Sequence, residues 1–308
     1  MTRVLRVWSG MPTVMGVVVI GQMGRDLVLR TAKWPAEGGS EPVLERLERL
    51  GGKGANQAVG LAQLGVPVSL VGVAGCDQDG QALCAQAAAD GVDVTHVARR
   101  GRTALLVTLL GGPPHRRLFE DIPESALLTV DDIDRAGAAL DDCDTLSIQL
   151  QQPVEVVLAA ARRARRAGAL VVADGAVAAD AVADLLSAVD VLRADAHEAE
   201  LLAGEPVPSV GAARALASRL LAGGPALVAL AVPGVGDLIA WADGHCLFPY
   251  PDVPVRDRTG AGDAFMAGLI AVLRRGGSAV AAGDMATRAA GATVTRVGGR
   301  PDLSDLRQ

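Results

Sequence analysis

The stretch Asp257-Arg258-Thr259-Gly260-Ala261-Gly262-Asp263-Ala264-Phe265-Met266-Ala267-Gly268-Leu269 joins a glycine turn, an acid and the start of an apolar helix. Phe265, Leu269, Val272 and Leu273 recur at i, i+4, i+7 and i+8, which predicts one helix face packed on a core. The Gly260-Ala261-Gly262 turn therefore falls at a helix N-terminus, where free backbone N–H groups and the positive end of the dipole favour an anion. Its small residues let the backbone come close to a ligand. Asp263 lies in the first turn, beside any anion that docks there. That combination suits phosphoryl transfer, with the carboxylate as base and the N–H groups holding phosphate charge. Ordinary capping by a first-turn acid explains the same residues. This segment alone leaves both readings open.

Outward from it, strand and helix signals alternate. Val14–Ile20 reads as a buried strand, far too short to span a bilayer. Ala55–Leu64 is a helix stopped by Gly65, Val66–Val73 a strand, and Gly80–Ala89 a helix. Thr145–Leu150 is a strand, and Pro153–Ala167 a helix with proline at its start and Gly168 at its end. Residues 169–173, 189–193 and 226–231 read as short buried strands between helices at 180–187, 195–203 and 209–221. The expected fold is α/β, a mostly parallel central sheet covered by helices on both faces, with ligands beyond the carboxyl ends of the strands. Two segments break the rhythm: Leu27–Leu50, and Thr103–Phe119 with two strands joined by Gly111-Gly112-Pro113-Pro114. Both fit a small β lid. No repeat or linker divides the chain, so one domain over residues 1–308 is expected, with lid segments at 27–50 and 103–119.

Half of the residues are apolar and the net charge is −6, which argues against a nucleic-acid binder with a broad basic surface. The cluster Arg162-Arg163-Ala164-Arg165-Arg166 closes a predicted helix, where cations complement the dipole at a solvated end. Cys76, Cys84, Cys143 and Cys246 are scattered, without C-x-x-C pairs or clustered histidines. That pattern suits reduced thiols in a cytoplasmic protein. Residues 1–13 lack a signal-peptide pattern and read as a frayed extension, so no membrane association is expected.

A second motif, Gly51-Gly52-Lys53-Gly54-Ala55-Asn56-Gln57-Ala58, precedes the first long helix. It is not a Walker A loop, because Gly54 rather than Ser or Thr follows Lys53, and no G-x-G-x-x-G follows the first strand. The glycines let backbone approach a ligand, while Lys53 and Asn56 offer donors to hydroxyls or charge. A merely capped turn is the plain alternative. Taken together, the two motifs resemble the ribokinase-like (pfkB) carbohydrate kinase family. The first is similar to its N-terminal motif, and Asp-Arg-Thr-Gly-Ala-Gly-Asp to its C-terminal one, usually Asp-Thr-x-Gly-Ala-Gly-Asp. The resemblance runs from about Val17 to Pro301.

The resemblance implies ATP-dependent phosphorylation of a hydroxyl on a sugar or sugar-like molecule. It implies Asp263 as catalytic base and Gly260, Ala261 and Gly262 as the anion hole. Asp26 resembles the substrate-binding aspartate after strand one, with Gly52, Lys53 and Asn56 completing the hydroxyl contacts. Asp195, Gly236, Gly260 and Gly262 fall at nucleotide-binding positions. Asp195-Ala196-His197-Glu198 stands where the family carries Asn-x-x-Glu, implying Mg²⁺ held by Asp195 and Glu198 through water; a capping box is the alternative. Asp257, Thr259, Arg296 and Gly298 match a monovalent-cation loop, for which K⁺ is the candidate. Lids in this family often pair, which implies a homodimer.

Three positions depart from the ribokinase pattern. Gly24 replaces Asn, Gln151 replaces Glu among the substrate contacts, and Ala231-Val232-Pro233 replaces a Thr-x-Gly stretch near the nucleotide. The first two leave the sugar open. A nucleoside acceptor is an alternative, with Trp34 and Phe119 in the expected lid as stacking surfaces. A sensor that kept the fold without catalysis is another, although a sensor has no need of Asp263 as a base.

Overall fold

The computed structural model describes residues 15–111 and 116–307. Its strands are β1 (Val17–Ile20), β2 (Gly24–Thr31), β3 (Val43–Gly51), β4 (Val68–Ala74), β5 (Val97–Arg99), β6 (Leu105–Gly111), β7 (Arg116–Asp121), β8 (Thr145–Gln149), β9 (Leu170–Asp174), β10 (Val191–Ala194), β11 (Leu227–Val232), β12 (Gly236–Trp241) and β13 (Gly244–Pro249). The helices are α1 (Lys53–Gln63), α2 (Gln78–Ala89), α3 (Val130–Arg135), α4 (Gly137–Asp142), α5 (Val154–Ala167), α6 (Val182–Ala188), α7 (Ala196–Ala203), α8 (Val210–Ala222), α9 (Ala261–Leu273) and α10 (Ala279–Val294). Val14 and the sequence-predicted extension at 1–13 lie outside the described residues, as does the connection at 112–115.

Nine strands form one sheet in the order β13-β12-β11-β10-β9-β8-β1-β4-β5, parallel from β11 through β5. Its apolar strands are buried on both faces, as a parallel sheet under two helical layers requires. Successive residues of β1 show the alternation. Val17 and Val19 join the layer of α1, α9 and α10, with Ala58, Leu269 and Ala282. Val18 and Ile20 face the layer of α5, with Val157 and Ala161. Each buried Val, Leu or Ile among them stabilises the fold by about 1.5–3 kcal/mol relative to exposure.

The structure adds one element and corrects one expectation. The sheet ends in an antiparallel hairpin, β12–β13, joined to β11 in the same antiparallel sense. The turn dipeptides Pro233-Gly234 and Asp243-Gly244 mark it in hindsight. Helix α9 is also not one-faced: from Asp263 to Ile270 every residue is buried. It runs between α1 and α10, and the spacing of its four large residues cannot reveal that, because Ala264, Ala267 and Gly268 are small enough to face a neighbour helix. A Cβ on Gly268 would approach the Met285 carbonyl to 2.8 Å.

The lid is a second sheet of order β3-β2-β6-β7, antiparallel except where β2 meets β6. In its register Asp26 lies opposite Leu106, and Leu106 opposite Glu120. The edge strand β7 is exposed throughout and carries Arg116, Arg117, Glu120 and Asp121, charges that discourage pairing with another edge. The Arg162–Arg166 cluster lies at the solvated end of α5 as expected, with Arg163 paired to Asp141 and Arg165 bonded to the Ser187 carbonyl.

Candidate active site

A cavity of about 1070 Å³ opens where the carboxyl ends of the central strands meet the N-terminus of α9, and the lid covers one side. The lid supplies Asp26, Leu106, Thr108, Arg116, Leu118 and Glu120, an inward-facing set spaced two apart along each strand. The far side is made by the turn after β11, by Tyr250 and Pro251, and by Thr287, Ala290 and Gly291 of α10.

Asp263 sits between these two sides, only 5% exposed. Asn56 Nδ2 donates to its Oδ2 at 2.9 Å, and Gln57 Nε2 reaches its Oδ1 at 3.4 Å. Gln57 Nε2 also donates to Asp174 Oδ2 at 2.9 Å, and its own carbonyl accepts from Ser147 Oγ at 2.9 Å. These donors favour the ionised form, but burial and the neighbouring Asp174 charge outweigh them and push the Asp263 carboxyl up to about 7. Gly260, which caps α9, has φ +76, and a Cβ there would stand 1.9 Å from the Gly299 carbonyl oxygen. Only glycine fits that turn; Ala261 N donates to the Arg258 carbonyl at 3.3 Å, and Gly260, Ala261 and Gly262 line the cavity.

A belt of charge crosses the floor. Arg193 Nη1 donates to Asp174 Oδ1 at 2.9 Å, and Lys53 Nζ to Glu198 Oε1 at 2.7 Å. Burial opposes the Lys53 charge, yet Asp174, Glu198 and Asp263 outweigh it and raise its pKa. Asp195 and Glu198 form a full capping box on α7, each accepting the other's backbone N–H at 2.8 Å. Burial pushes Asp26 above the usual carboxylate range and Asp237 up to about 6.

Five buried side-chain atoms among the described residues have no hydrogen-bond partner, and four of them belong to cavity-lining residues: Gln22 Nε2, Thr108 Oγ1, Arg193 Nε and Thr287 Oγ1. Buried polar groups are normally paired, so a cavity lined by unmet ones is built for a polar ligand.

The family model for pfkB family carbohydrate kinase matches residues 15–306. The chain belongs to the pfkB family of carbohydrate kinases. It is 30% identical over 307 residues to the ribokinase of Bacillus subtilis (strain 168), covering 95% of this chain and 98% of that one. It is also 27% identical over 263 residues to a bifunctional ribokinase/ribose-5-phosphate isomerase A of Fructilactobacillus sanfranciscensis; that match covers 83% of this chain but only 48% of the relative. Among solved structures, Arabidopsis thaliana ribokinase complexed with ribose and ATP superposes with a TM-score of 0.79 at 24% identity, covering 96% of this chain and 98% of that one.

Most of the residues that the resemblance picks out meet in the cavity. Asp26, Gly52, Lys53, Asn56, Gln151, Asp195, Glu198, Thr259, Gly260, Ala261, Gly262 and Asp263 all line it. Gly236 does not: it opens β12, where a Cβ would come 2.1 Å from the Phe248 carbonyl oxygen, while Gly234 and Asp237 reach the cavity. Asp257 lies behind the anion turn, accepting from Thr259 N at 2.9 Å, Thr259 Oγ1 at 2.7 Å and Gly298 N at 2.9 Å. The Arg296 side chain turns outward to Asp302. Gly24 has a packing reason of its own, since a Cβ there would come 2.8 Å from the Ala104 carbonyl. Trp34 lies beneath the Arg117 guanidinium, 4.6 Å from ring centroid to Cζ, and neither it nor Phe119 lines the cavity. The motifs did not single out Gln22, Gln57, Thr108, Asp174, Arg193, Asp237 or Thr287. Gln57 stood inside a quoted motif; the others sit at strand ends or on helix and lid faces, where only the fold brings them together.

Proposed function

We propose that the protein transfers the γ-phosphoryl group of ATP to a hydroxyl of a sugar or sugar-like small molecule. The observation that carries this reading is Asp263: a buried carboxyl poised near neutrality, in the first turn of a helix whose N-terminus opens on the cavity. The acceptor hydroxyl gives its proton to the Asp263 carboxylate as its oxygen bonds to the γ-phosphorus. The bond from that phosphorus to the β-bridging oxygen breaks, and ADP leaves. Charge on the transferring group is held by the N–H groups of the Gly260–Gly262 turn. Asp26, Gln22, Thr108 and Asn56 offer the sugar both hydrogen-bond donors and acceptors, a set that reads hydroxyl orientation. The side made by Tyr250, Thr287, Ala290 and Gly291 takes the nucleotide, and Asp195 with the turn after β11 lies along its phosphates.

Glu198 already spends both carboxylate oxygens on Lys53 and the Asp195 N–H, and no group of three metal-ligating side chains occurs among the described residues. This donor set fits Mg²⁺ held through water by Asp195 and Glu198. Bound there, Mg²⁺ would screen the phosphate charge. Asp257, Thr259, Arg296 and Gly298 are the place for K⁺, close behind the anion turn. No helix among the described residues is long and apolar enough to cross a membrane. Four free cysteines suit the reducing cytoplasm, and a homodimer would form through the lid.

A panel of pentoses, hexoses and nucleosides, read by coupled ADP release, tests the activity. Asp263→Asn is expected to lower turnover about 10²–10⁴-fold while ATP binding persists. Near-full activity of that variant would sink the mechanism.

A further inference from the structure

Arg193 stands out because nothing in the strand calls for a cation there: Leu192 and Ala194 on either side are wholly buried in the apolar core. Its guanidinium is itself within the interior, and its charge is held firmly by Asp174 and Glu198 despite the cost of burial. Asp174 Oδ1 takes one of its donors, Glu198 Oε2 stays 3.9 Å away, and Nε has no partner. The head group lies directly against Gly262, since a Cβ on that glycine would stand 2.8 Å from both Nη1 and Nη2. Two cavity-lining features thus coincide, the first turn of α9 and a buried cation with an unmet N–H. Such a group is costly to keep without a partner for every donor. A phosphate oxygen entering the cavity would supply one.

We propose that Arg193 is a further phosphate-binding residue, which holds the transferring phosphoryl group from the strand side while the N–H groups of α9 hold it from the helix side. This rests on the kinase reading above and adds a fixed charge to it. In the loose transition state of phosphoryl transfer, charge spreads over three equatorial oxygens, and an arginine placed in cis stabilises it. Asp174 then orients the guanidinium, and Gln57 ties Asp174 to the base.

The rival explanation is that Arg193 merely neutralises Asp174. A double-mutant cycle with Arg193→Gln, Arg193→Lys, Asp174→Asn and Arg193→Gln/Asp174→Asn separates the two. Turnover, sugar KM, ATP affinity by titration calorimetry and thermal melting are measured for each. The double variant removes both charges, so it keeps the fold even where Arg193→Gln alone does not. We expect it to melt near the Asp174→Asn variant, yet to turn over about 10²–10³-fold more slowly than that variant, with weaker ATP binding and an unchanged sugar KM. Arg193→Lys should recover part of the rate. A double variant as active as Asp174→Asn, with equal ATP affinity, overturns the inference alone. An unaltered protein that neither binds ATP nor releases ADP with any acceptor overturns the kinase reading, and this inference with it.

Discussion

The floor of the cavity and its lid are built on opposite terms. On the floor, Gln57, Asp174 and Asp263 are 0%, 1% and 5% exposed, and each is bonded to a side chain from a different element. In the lid, β7 is exposed along its whole length, and its strand pairing runs to one neighbour, β6. A network in which every member fixes another holds catalytic geometry, whereas a solvated edge strand opens at little cost. On the function proposed above, the chemistry belongs to the floor, and the lid contributes Asp26 and Thr108 to the choice of acceptor. A substitution on either side should reveal which kind of site it touches.

Apart from loss of Asp263 itself, the largest effect is expected on the floor, from Gly260→Ala. The new methyl must displace the Gly299 carbonyl and hold a left-handed backbone, at about 1–3 kcal/mol of stability. Because that displacement moves the anion turn, kcat should fall at least 10²-fold, by rough analogy with loss of an oxyanion donor. A variant that melts lower but keeps its kcat would break the claim that the floor is rigidly specified.

The next test uses pH. With its pKa pushed up to about 7, folded Asp263 keeps a proton that the unfolded chain releases near the ordinary value of 3.8. The folded state then binds more protons between those limits, so this group's contribution to stability is greatest below pH 4 and is lost as pH rises through about 7. Asp263→Asn should remove that loss and leave a protein more stable by about 2–4 kcal/mol at pH 8, though inert. Denaturant titrations of both proteins at pH 5 and pH 8 check the sign. In the active protein, kcat/KM should fall about tenfold per pH unit below 7, as the base becomes protonated. A flat profile over that range would remove Asp263 from the role of base.

The smallest effect belongs to the lid. Thr108 Oγ1 is buried without a partner and faces the cavity beside Asp26. Thr108→Val should raise the sugar KM roughly 2–10-fold, the worth of one hydrogen bond, and leave kcat unchanged. A matching loss of kcat would mean that the lid also sets the geometry of transfer.

The floor was more legible in the sequence than the lid, for a physical reason. Glycine turns followed by helices must lie close together in sequence, so Gly51–Asn56 and Gly260–Asp263 announced themselves as motifs. The central strands were readable too, because burial on both faces leaves short runs such as Val17–Ile20 almost purely apolar. Asp174 and Arg193 were not legible. Each is a single polar residue at the end of an apolar strand, and its partner lies on a neighbouring strand rather than nearby in sequence. The β12–β13 hairpin was missed because Gly236 and Asp237 interrupt the apolar run of β12, and β13 is only partly buried. The reading of Trp34 as a stacking surface failed because sequence placed it in the lid without saying which face it occupies; Arg117 covers it instead.

The bond from Asn56 to Asp263 joins residues 207 positions apart, one on α1 and the other on α9. At roughly 5–20 residues per second, synthesis of that interval takes about 10–40 s. On the roles proposed above, the nascent chain during that time holds hydroxyl-binding residues but has neither base nor anion turn. On that reading, a half-made chain lacks the groups that phosphoryl transfer needs. Activity appears only when the last third of the polypeptide closes against the first.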